Sequence, residues 1–276
     1  MKFIIYLIKG RYTISHLFGR FEIFSFIILF VNKFTCKGKP RNLRNSQFII
    51  NDNNKNVVKK ISTDGYYDGI SLNTKTLNSI LKKLKNKKTF HPDFSGRVYG
   101  NIQKPIFLTK IGKKLPRAFV DELDKIDEIK KISKDKRIFQ IFFNYFGYYP
   151  RKINSLVFVN YPVKMKEEER LNYETIKYHF DIEAPNSLYW SFYLCDINKF
   201  NAPHALIKKT HKNKPFKFLI RGANLDDSEI FRHYNPKDEV ILNLNKGQGF
   251  IEDASIYHKN FPSQKKVRLM LQLRYY

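Results

Sequence analysis

The chain has 276 residues, 42% of them hydrophobic and 16% aromatic, so it carries enough apolar area for a full core and is not a disordered chain. Its two cysteines, Cys36 and Cys195, exclude a disulfide framework and a CxxC site, and fit a reducing, cytoplasmic setting. The formal net charge of +26 suits an anionic or carrier-linked partner. The basic residues are nevertheless spread along the whole chain, amid abundant Lys, Asn, Ile, Phe and Tyr, as a compositional bias also gives. With no zinc-finger spacing and no RRM-type signature, specific nucleic-acid recognition is not expected.

In chain order, the first feature is the apolar run from Phe21 to Val31. It is shorter than the roughly 20 residues that span a bilayer, and no small-residue cleavage site follows it. Two readings stand: a buried helix or strand, or a membrane-surface segment helped by Lys2, Lys9, Arg11 and Arg20, which would give peripheral membrane contact through the N-terminus. Residues 38–60, rich in Lys, Asn and Gly, read as a loop or linker. From Asn73, Leu77, Ile80, Leu81 and Leu84 recur at helical spacing with lysines opposite. A second helical stretch is predicted from about Phe119 to Phe146, with Pro150 closing it.

From Ser155 onward, short runs of β-branched, aromatic and leucine residues alternate with turn signals. They are Leu156–Asn160, Leu188–Leu194, Phe216–Ile220, Val240–Leu244 and Val267–Tyr276. Short strands at this spacing predict a sandwich or barrel-like sheet. The expected architecture is mainly β with α additions: N-terminal helices packed on a jelly-roll core. Residues 1–60 read as an N-terminal extension and 61–276 as one domain, helical over 61–150 with its β core over 151–276.

Within the strand-rich half lies Tyr178-His179-Phe180-Asp181. In extended chain, residues i and i+2 share a face, so His179 and Asp181 converge while Tyr178 and Phe180 pack behind them. An imidazole and a carboxylate are two ligands of a 2-His-1-carboxylate facial triad, which leaves positions open for small molecules. His258, beyond the turn marked by Gly247 and Gly249, is placed to be the third. In the final strand Val267, Leu269, Leu271 and Leu273 define an apolar face, which puts Arg268 on the other one with Met270 and Gln272. Inside a barrel that arginine needs an anion matching its fork, such as a dicarboxylate. HxD alone is a weak signal, since His91-Pro92-Asp93 also matches; its central proline reads as a turn.

Ser155 to Tyr276 resembles the phytanoyl-CoA dioxygenase-like family of Fe(II)/2-oxoglutarate-dependent oxygenases. Beyond the HxD, Tyr193-Leu194-Cys195-Asp196 resembles the family's strand ending in Asp. Asn201-Ala202-Pro203-His204 and Lys208-Lys209-Thr210-His211-Lys212 resemble its NGPH and GSHK turns, with Ala202 and Lys209 where glycine is usual. Gly249-Phe250-Ile251-Glu252-Asp253 then precedes His258, and Arg268 follows.

The resemblance implies a double-stranded β-helix of cupin-like type, with iron(II) on His179, Asp181 and His258 and 2-oxoglutarate on Arg268. Asn160 and Asn260 are further co-substrate candidates. It also implies a dioxygenase that uses O2 to hydroxylate a C–H bond of a small-molecule, sugar- or lipid-linked substrate as 2-oxoglutarate is decarboxylated to succinate. Asp181 favours hydroxylation, since halogenating family members lack that carboxylate. Tyr178, Glu183, Trp190 and Tyr193 are candidates for the substrate mouth, with core packing as the plainer reading of the aromatics. His204 and His211 read as supporting or structural. Two other functions compete: a non-catalytic jelly-roll binding protein, which predicts a missing anchor, and a basic polyanion-binding protein, which predicts no iron and steeply salt-dependent binding.

Overall fold

A computed structural model describes residues 19, 21–36, 38, 40, 43–91, 100–108, 112–181, 186–212, 214–221 and 224–276. Among the described residues the first element is α1 (Glu22–Thr35), followed by β1 (Phe48–Ile50), α2 (Asn54–Asp64), β2 (Tyr66–Leu72) and α3 (Thr74–Leu84). Short strands β3 (Lys88–Phe90), β4 (Gly100–Asn101), β5 (Phe107–Leu108), β6 (Lys113–Lys114) and β7 (Arg117–Val120) lead to α4 (Asp127–Ser133) and α5 (Lys136–Phe146). The remaining strands are β8 (Ile153–Asn160), β9 (Leu188–Tyr193), β10 (His204–Ile207), β11 (Glu239–Leu242), β12 (Gln248–Asp253), β13 (His258–Asn260) and β14 (Arg268–Tyr275).

Local signals set the helix boundaries. The side chain of Asn53 caps α2 by accepting from the Asn56 amide, and Asn73 caps α3 by accepting from Thr76. The Lys- and Asn-rich run ahead of residue 60, expected to be a loop, therefore contributes β1 and the first turns of α2. The single helix expected over 119–146 is divided. Arg117–Val120 forms β7, and Asp135 begins a new helix, α5, by accepting from the Arg137 amide. Asp135 is fully buried and also takes bonds from Ser46 Oγ and the Gln47 amide, tying the segment before β1 to this helix.

Fourteen strands make one large antiparallel sheet, ordered β1-β2-β12-β9-β14-β8-β7-β3-β4, a three-stranded sheet β11-β10-β13, and the pair β5-β6. On β14, Leu269, Leu271 and Leu273 face the helices, packing with Val57 and Ile61 of α2, Ile80 and Leu84 of α3, and Phe139 and Phe142 of α5. Each such fully buried side chain contributes roughly 1.5–3 kcal/mol of transfer free energy. The alternate residues of β14 turn toward the smaller sheet, where Met270, Phe158, Tyr193 and Phe250 meet Leu206 and Leu242. The fold is thus mainly β with α additions, and the predicted alternation of Arg268, Met270 and Gln272 into the interior holds.

One expected strand is a helix. In extended chain Phe216 and Phe218 would share a face, yet Phe216 is exposed and Phe218 buried. Pro215 precedes the segment, its carbonyl accepts from the Phe218 amide, and Phe216–Arg221 coils so that Phe218 and Leu219 enter an apolar cluster with Tyr178 and Tyr257.

The two turns that depart from glycine keep a glycine-like backbone. Ala202 has φ 55° and Lys209 has φ 67°. For L-residues the left-handed region costs roughly 1–2 kcal/mol. Glycine at position 209 should therefore relieve strain, partly offset by its unfolded-state entropy. Lys209→Gly is expected to raise stability by about 0.5–1 kcal/mol in denaturant unfolding. A lower midpoint would mean the lysine side chain contributes more than its backbone costs.

Candidate metal centre

His179 and His258 come from segments far apart in sequence, yet their backbones exchange two hydrogen bonds. The His179 amide donates to the His258 carbonyl at 3.0 Å, and the His258 amide returns the bond at 2.8 Å. This bridge sets the imidazole centroids 4.3 Å apart. The Asp181 amide continues the pairing by donating to the Ala254 carbonyl at 2.9 Å. One ligand atom each from His179, Asp181 and His258 then fall within 4.8 Å of one another.

The tautomers follow from the neighbours. His179 Nδ1 lies 3.0 Å from the Lys177 carbonyl and His258 Nδ1 lies 3.0 Å from the Ile256 carbonyl. A carbonyl only accepts, so each Nδ1 carries the proton and each Nε2 is left with its lone pair free, as metal ligation requires. His179 Nε2 stands 3.7 Å from Asp181 Oδ1. Burial, followed by the neighbouring His258, pushes the His179 imidazole down to about 4. Burial acts upward on Asp181, but the Arg274 guanidinium, then His258 and His179, bring its carboxyl down to about 2. The trio at neutral pH therefore includes a neutral His179 and an ionised Asp181, the forms that bind a divalent cation.

Beside the triad lies a cavity of about 190 Å³. Its walls carry three guanidinium groups, those of Arg117, Arg268 and Arg274. Arg268 is buried, and its Nη1 donates to the Ala202 carbonyl and to Asn260 Oδ1, both at 2.6 Å. The left-handed turn at Ala202 thus aims a carbonyl at this arginine. Nε of Arg268 is buried without a partner, and Nη2 meets only the Met270 sulfur at 3.5 Å. On that edge of the fork, then, Nε has no acceptor and Nη2 has only a weak one. Asn260 is anchored by Nδ2 to Thr175, and its Oδ1 also lies 3.2 Å from His204 Nδ1.

Asn160 stands in register with Arg268 on β14 and with Arg117 on β7. Its Nδ2 donates to Glu174 Oε1 at 2.6 Å, while its Oδ1 is buried without a partner. Glu174 in turn pairs with Arg170 at 2.5 Å in a buried ion pair. His204 bonds Glu252 through Nε2 at 2.9 Å, stacks on Phe250, and lies 5.2 Å from the His258 ring, so it buttresses the ligand from behind. His211 is farther out, with Nε2 facing the Ser62 carbonyl at 3.2 Å.

Sequence reasoning missed Arg117, Arg274 and Tyr189. Arg274 Nη1 lies 3.7 Å from Asp181 Oδ2, and its Nε donates to Gln272 at 2.7 Å. The Tyr189 hydroxyl also bonds Asp181. Arg117 sits 4.5 Å over the Phe158 ring, its Nε buried without a partner, and burial, with Arg268 close by, lowers its guanidinium to about 10. Period-2 counting from Arg268 does reach Arg274, and the same parity selects Tyr189 over Trp190 on β9. Trp190 lies in the helix-facing core, Tyr178 bonds Glu239, and Tyr193 is buried near Arg268. His91 is buried; Pro92, Asp93 and Glu183 lie outside the described residues.

No family model matches the sequence, and no curated protein matches it. Solved structures do. EvdO2 from Micromonospora carbonacea var. aurantiaca, complexed with 2-oxoglutarate, is similar at 13% identity over 82% of this chain and 92% of its own, with a TM-score of 0.56. The non-heme α-ketoglutarate-dependent carbocyclase SnoK from nogalamycin biosynthesis is similar at 15% identity over 82% of this chain and 84% of its own, TM-score 0.54. HygX from Streptomyces hygroscopicus, with nickel, 2-oxoglutarate and hygromycin B bound, is similar at 10% identity over 80% and 86%, TM-score 0.51. At these identities the likeness is one of architecture: the chain has the fold of these proteins.

Proposed function

We propose that the chain is an Fe(II)/2-oxoglutarate-dependent oxygenase, of the phytanoyl-CoA dioxygenase-like kind, that hydroxylates a C–H bond of a small-molecule, sugar- or lipid-linked substrate. One observation carries the reading: two imidazole Nε2 atoms and one carboxylate oxygen converge within 4.8 Å beside a buried arginine fork with an unmatched edge. The donor set fits iron(II), because two neutral nitrogens and one carboxylate satisfy half of an octahedron and leave the rest open. When bound, iron and 2-oxoglutarate supply O2 activation, with decarboxylation to succinate coupled to oxidation of the substrate.

The residues of this chain position and shield that chemistry. The Nε–Nη2 edge of Arg268 takes the far carboxylate of the co-substrate as a bidentate pair. Ala202 and Asn260 hold Nη1, so the fork is oriented before the anion arrives. Asn260 on this reading acts through Arg268, and Asn160 fixes the wall between Arg268 and Arg117. Arg117, also on the cavity wall, would add positive potential for an anionic co-substrate. Arg274 faces Asp181 Oδ2 and Tyr189 bonds the same carboxylate, while Oδ1 lies on the side of His179 Nε2. The cavity's 190 Å³ matches on the order of six waters of liquid volume, the scale of a small dicarboxylate. Complexes of the neighbouring structures with 2-oxoglutarate and with nickel support this reading.

Anaerobic titration tests the site. Wild type is expected to bind one iron(II) per chain and, on adding 2-oxoglutarate, to develop a weak visible charge-transfer band. His179→Ala and His258→Ala should each weaken iron binding by more than the roughly 10- to 100-fold that loss of a group behind a ligand costs. A protein that neither holds iron nor consumes 2-oxoglutarate would refute the assignment.

The anion site is tested separately. Arg268→Gln should keep iron but weaken 2-oxoglutarate binding by roughly 100-fold, since a charged bidentate pair contributes about 3 kcal/mol. Arg274→Met should leave 2-oxoglutarate anchoring in place while lowering iron affinity by roughly tenfold. If Arg274→Met instead abolished co-substrate binding with iron affinity intact, Arg274 would belong to the anion site.

A further inference from the structure

Among the described residues nine large hydrophobic side chains are exposed, and six of them lie on α1. Ile23, Phe26, Ile27, Phe30, Val31 and Phe34 are 48–72% exposed. Their spacing, i, i+3, i+4, i+7, i+8 and i+11, puts them on one face of the helix. The opposite face holds the helix to the body. Leu29 and Cys36 pack on the main core, the Ser25 carbonyl accepts from Asn186 at 2.8 Å, and Lys33 lies against Gly147. Arg151 bonds Thr35 and Cys36 at the C-terminal end. A surface helix of a water-soluble domain ordinarily turns its polar face outward; here the outward face is apolar.

The charge around the helix is positive. Lys33 and Arg151 adjoin its C-terminal half, and Lys212 shares a cavity wall with Glu22, Ser25 and Phe26 at its N-terminal half, whereas Lys214 on that wall turns inward over the Phe180 and Tyr257 rings. The acids there are Glu22, Asp181 and Asp253; Asp181 faces Arg274, and Asp253 is buried and bonded to Tyr145 and Ser255. The whole chain carries +26. With 14 residues, α1 is roughly 21 Å long, short of the roughly 30 Å hydrocarbon core. No helix among the described residues is long and apolar enough to cross a membrane.

We propose that α1 docks on an anionic lipid bilayer, lying in the plane of the interface with its Ile23–Phe34 stripe among the acyl chains and its basic flanks on lipid phosphates. An apolar stripe bounded by cations is the pairing that such a surface recognises, as area burial and phosphate attraction act together. A second copy of the chain would match the stripe but would bring the two positively charged bodies together. A cavity of about 360 Å³ is lined by Ser25, Phe26 and Leu29 of α1 and also by Phe180 and the candidate metal ligand Asp181, so α1 and the metal centre border the same space. The docking itself does not depend on the oxygenase assignment.

The test uses the full chain with vesicles of phosphatidylcholine alone and with 30% phosphatidylserine. Wild type should sediment with the anionic vesicles, less at 0.5 M than at 0.1 M salt, and poorly with the neutral ones. The double variant Phe30→Glu/Phe34→Glu, whose side chains point away from the body, should keep the wild-type melting curve and bind at least tenfold more weakly. Phe34→Trp should be quenched by brominated lipid only in the anionic vesicles. Equal binding by the double variant would mean adhesion by charge alone and would overturn the proposal, as would no wild-type binding. So would a wild-type dimer that the double variant turns into a monomer, because a second copy would then cover the stripe.

Discussion

Two hydrogen bonds between the backbones of His179 and His258 hold the whole site together. They pin a chain segment with no strand partner of its own to the rim of the small sheet, since His258 begins β13, which pairs with β10. Because the bonds are backbone to backbone, they fix the Cα positions of both residues whatever occupies the cavity. The side chains then have little freedom left, as each Nδ1 is engaged by a carbonyl two residues back. A metal would meet donors that are already arranged, and little ordering cost would remain to be offset by binding.

The second constraint is charge. Three arginines share a small lumen with two carboxylates, Asp181, which faces Arg274, and Glu252, which is paired with His204. Burial lowers the Arg268 guanidinium, against the raising effect of Tyr193, Cys195, Glu174 and Glu252. The lumen therefore carries an excess of positive charge. Phe158 and Met270 give the same lumen an apolar side, continuous with the core around Phe250.

How much of this was legible in the sequence depended on the range of each signal. The alternation of Leu269, Leu271 and Leu273 with Arg268, Met270 and Gln272 is a local, period-2 pattern and reads directly. The HxD pair reads for the same reason. The helix caps at Asn73 and Asp135 were available too, but the run from Phe119 to Phe146 has charges that suit a continuous helix, and only the buried bonds of Asp135 to Ser46 and Gln47 show the break. The segment at Phe216 was misjudged because its composition suits a strand, and the partner that makes it a helix is a distant cluster around Tyr257. Arg117 was invisible for a similar reason. Its strand reaches the site only through the register Arg117, Asn160 and Arg268 across β7, β8 and β14, and register of that kind is a property of the assembled sheet.

That sheet has an order with kinetic consequences. β14 lies between β8 and β9, with eight register pairs to one and six to the other, so these two strands have no edge in common until β14 is inserted. The sheet cannot be zipped as a succession of hairpins, and the loops that must close first are long. Before insertion the helix-facing and lumen-facing halves of the core are both open, and β8 and β9 present unpaired edges. Arg268, Gln272 and Arg274 enter the lumen in that same step, so the charged wall and the hydrophobic core should form together in one cooperative, slow event. The three-arginine wall would then be incomplete until β14 is in place.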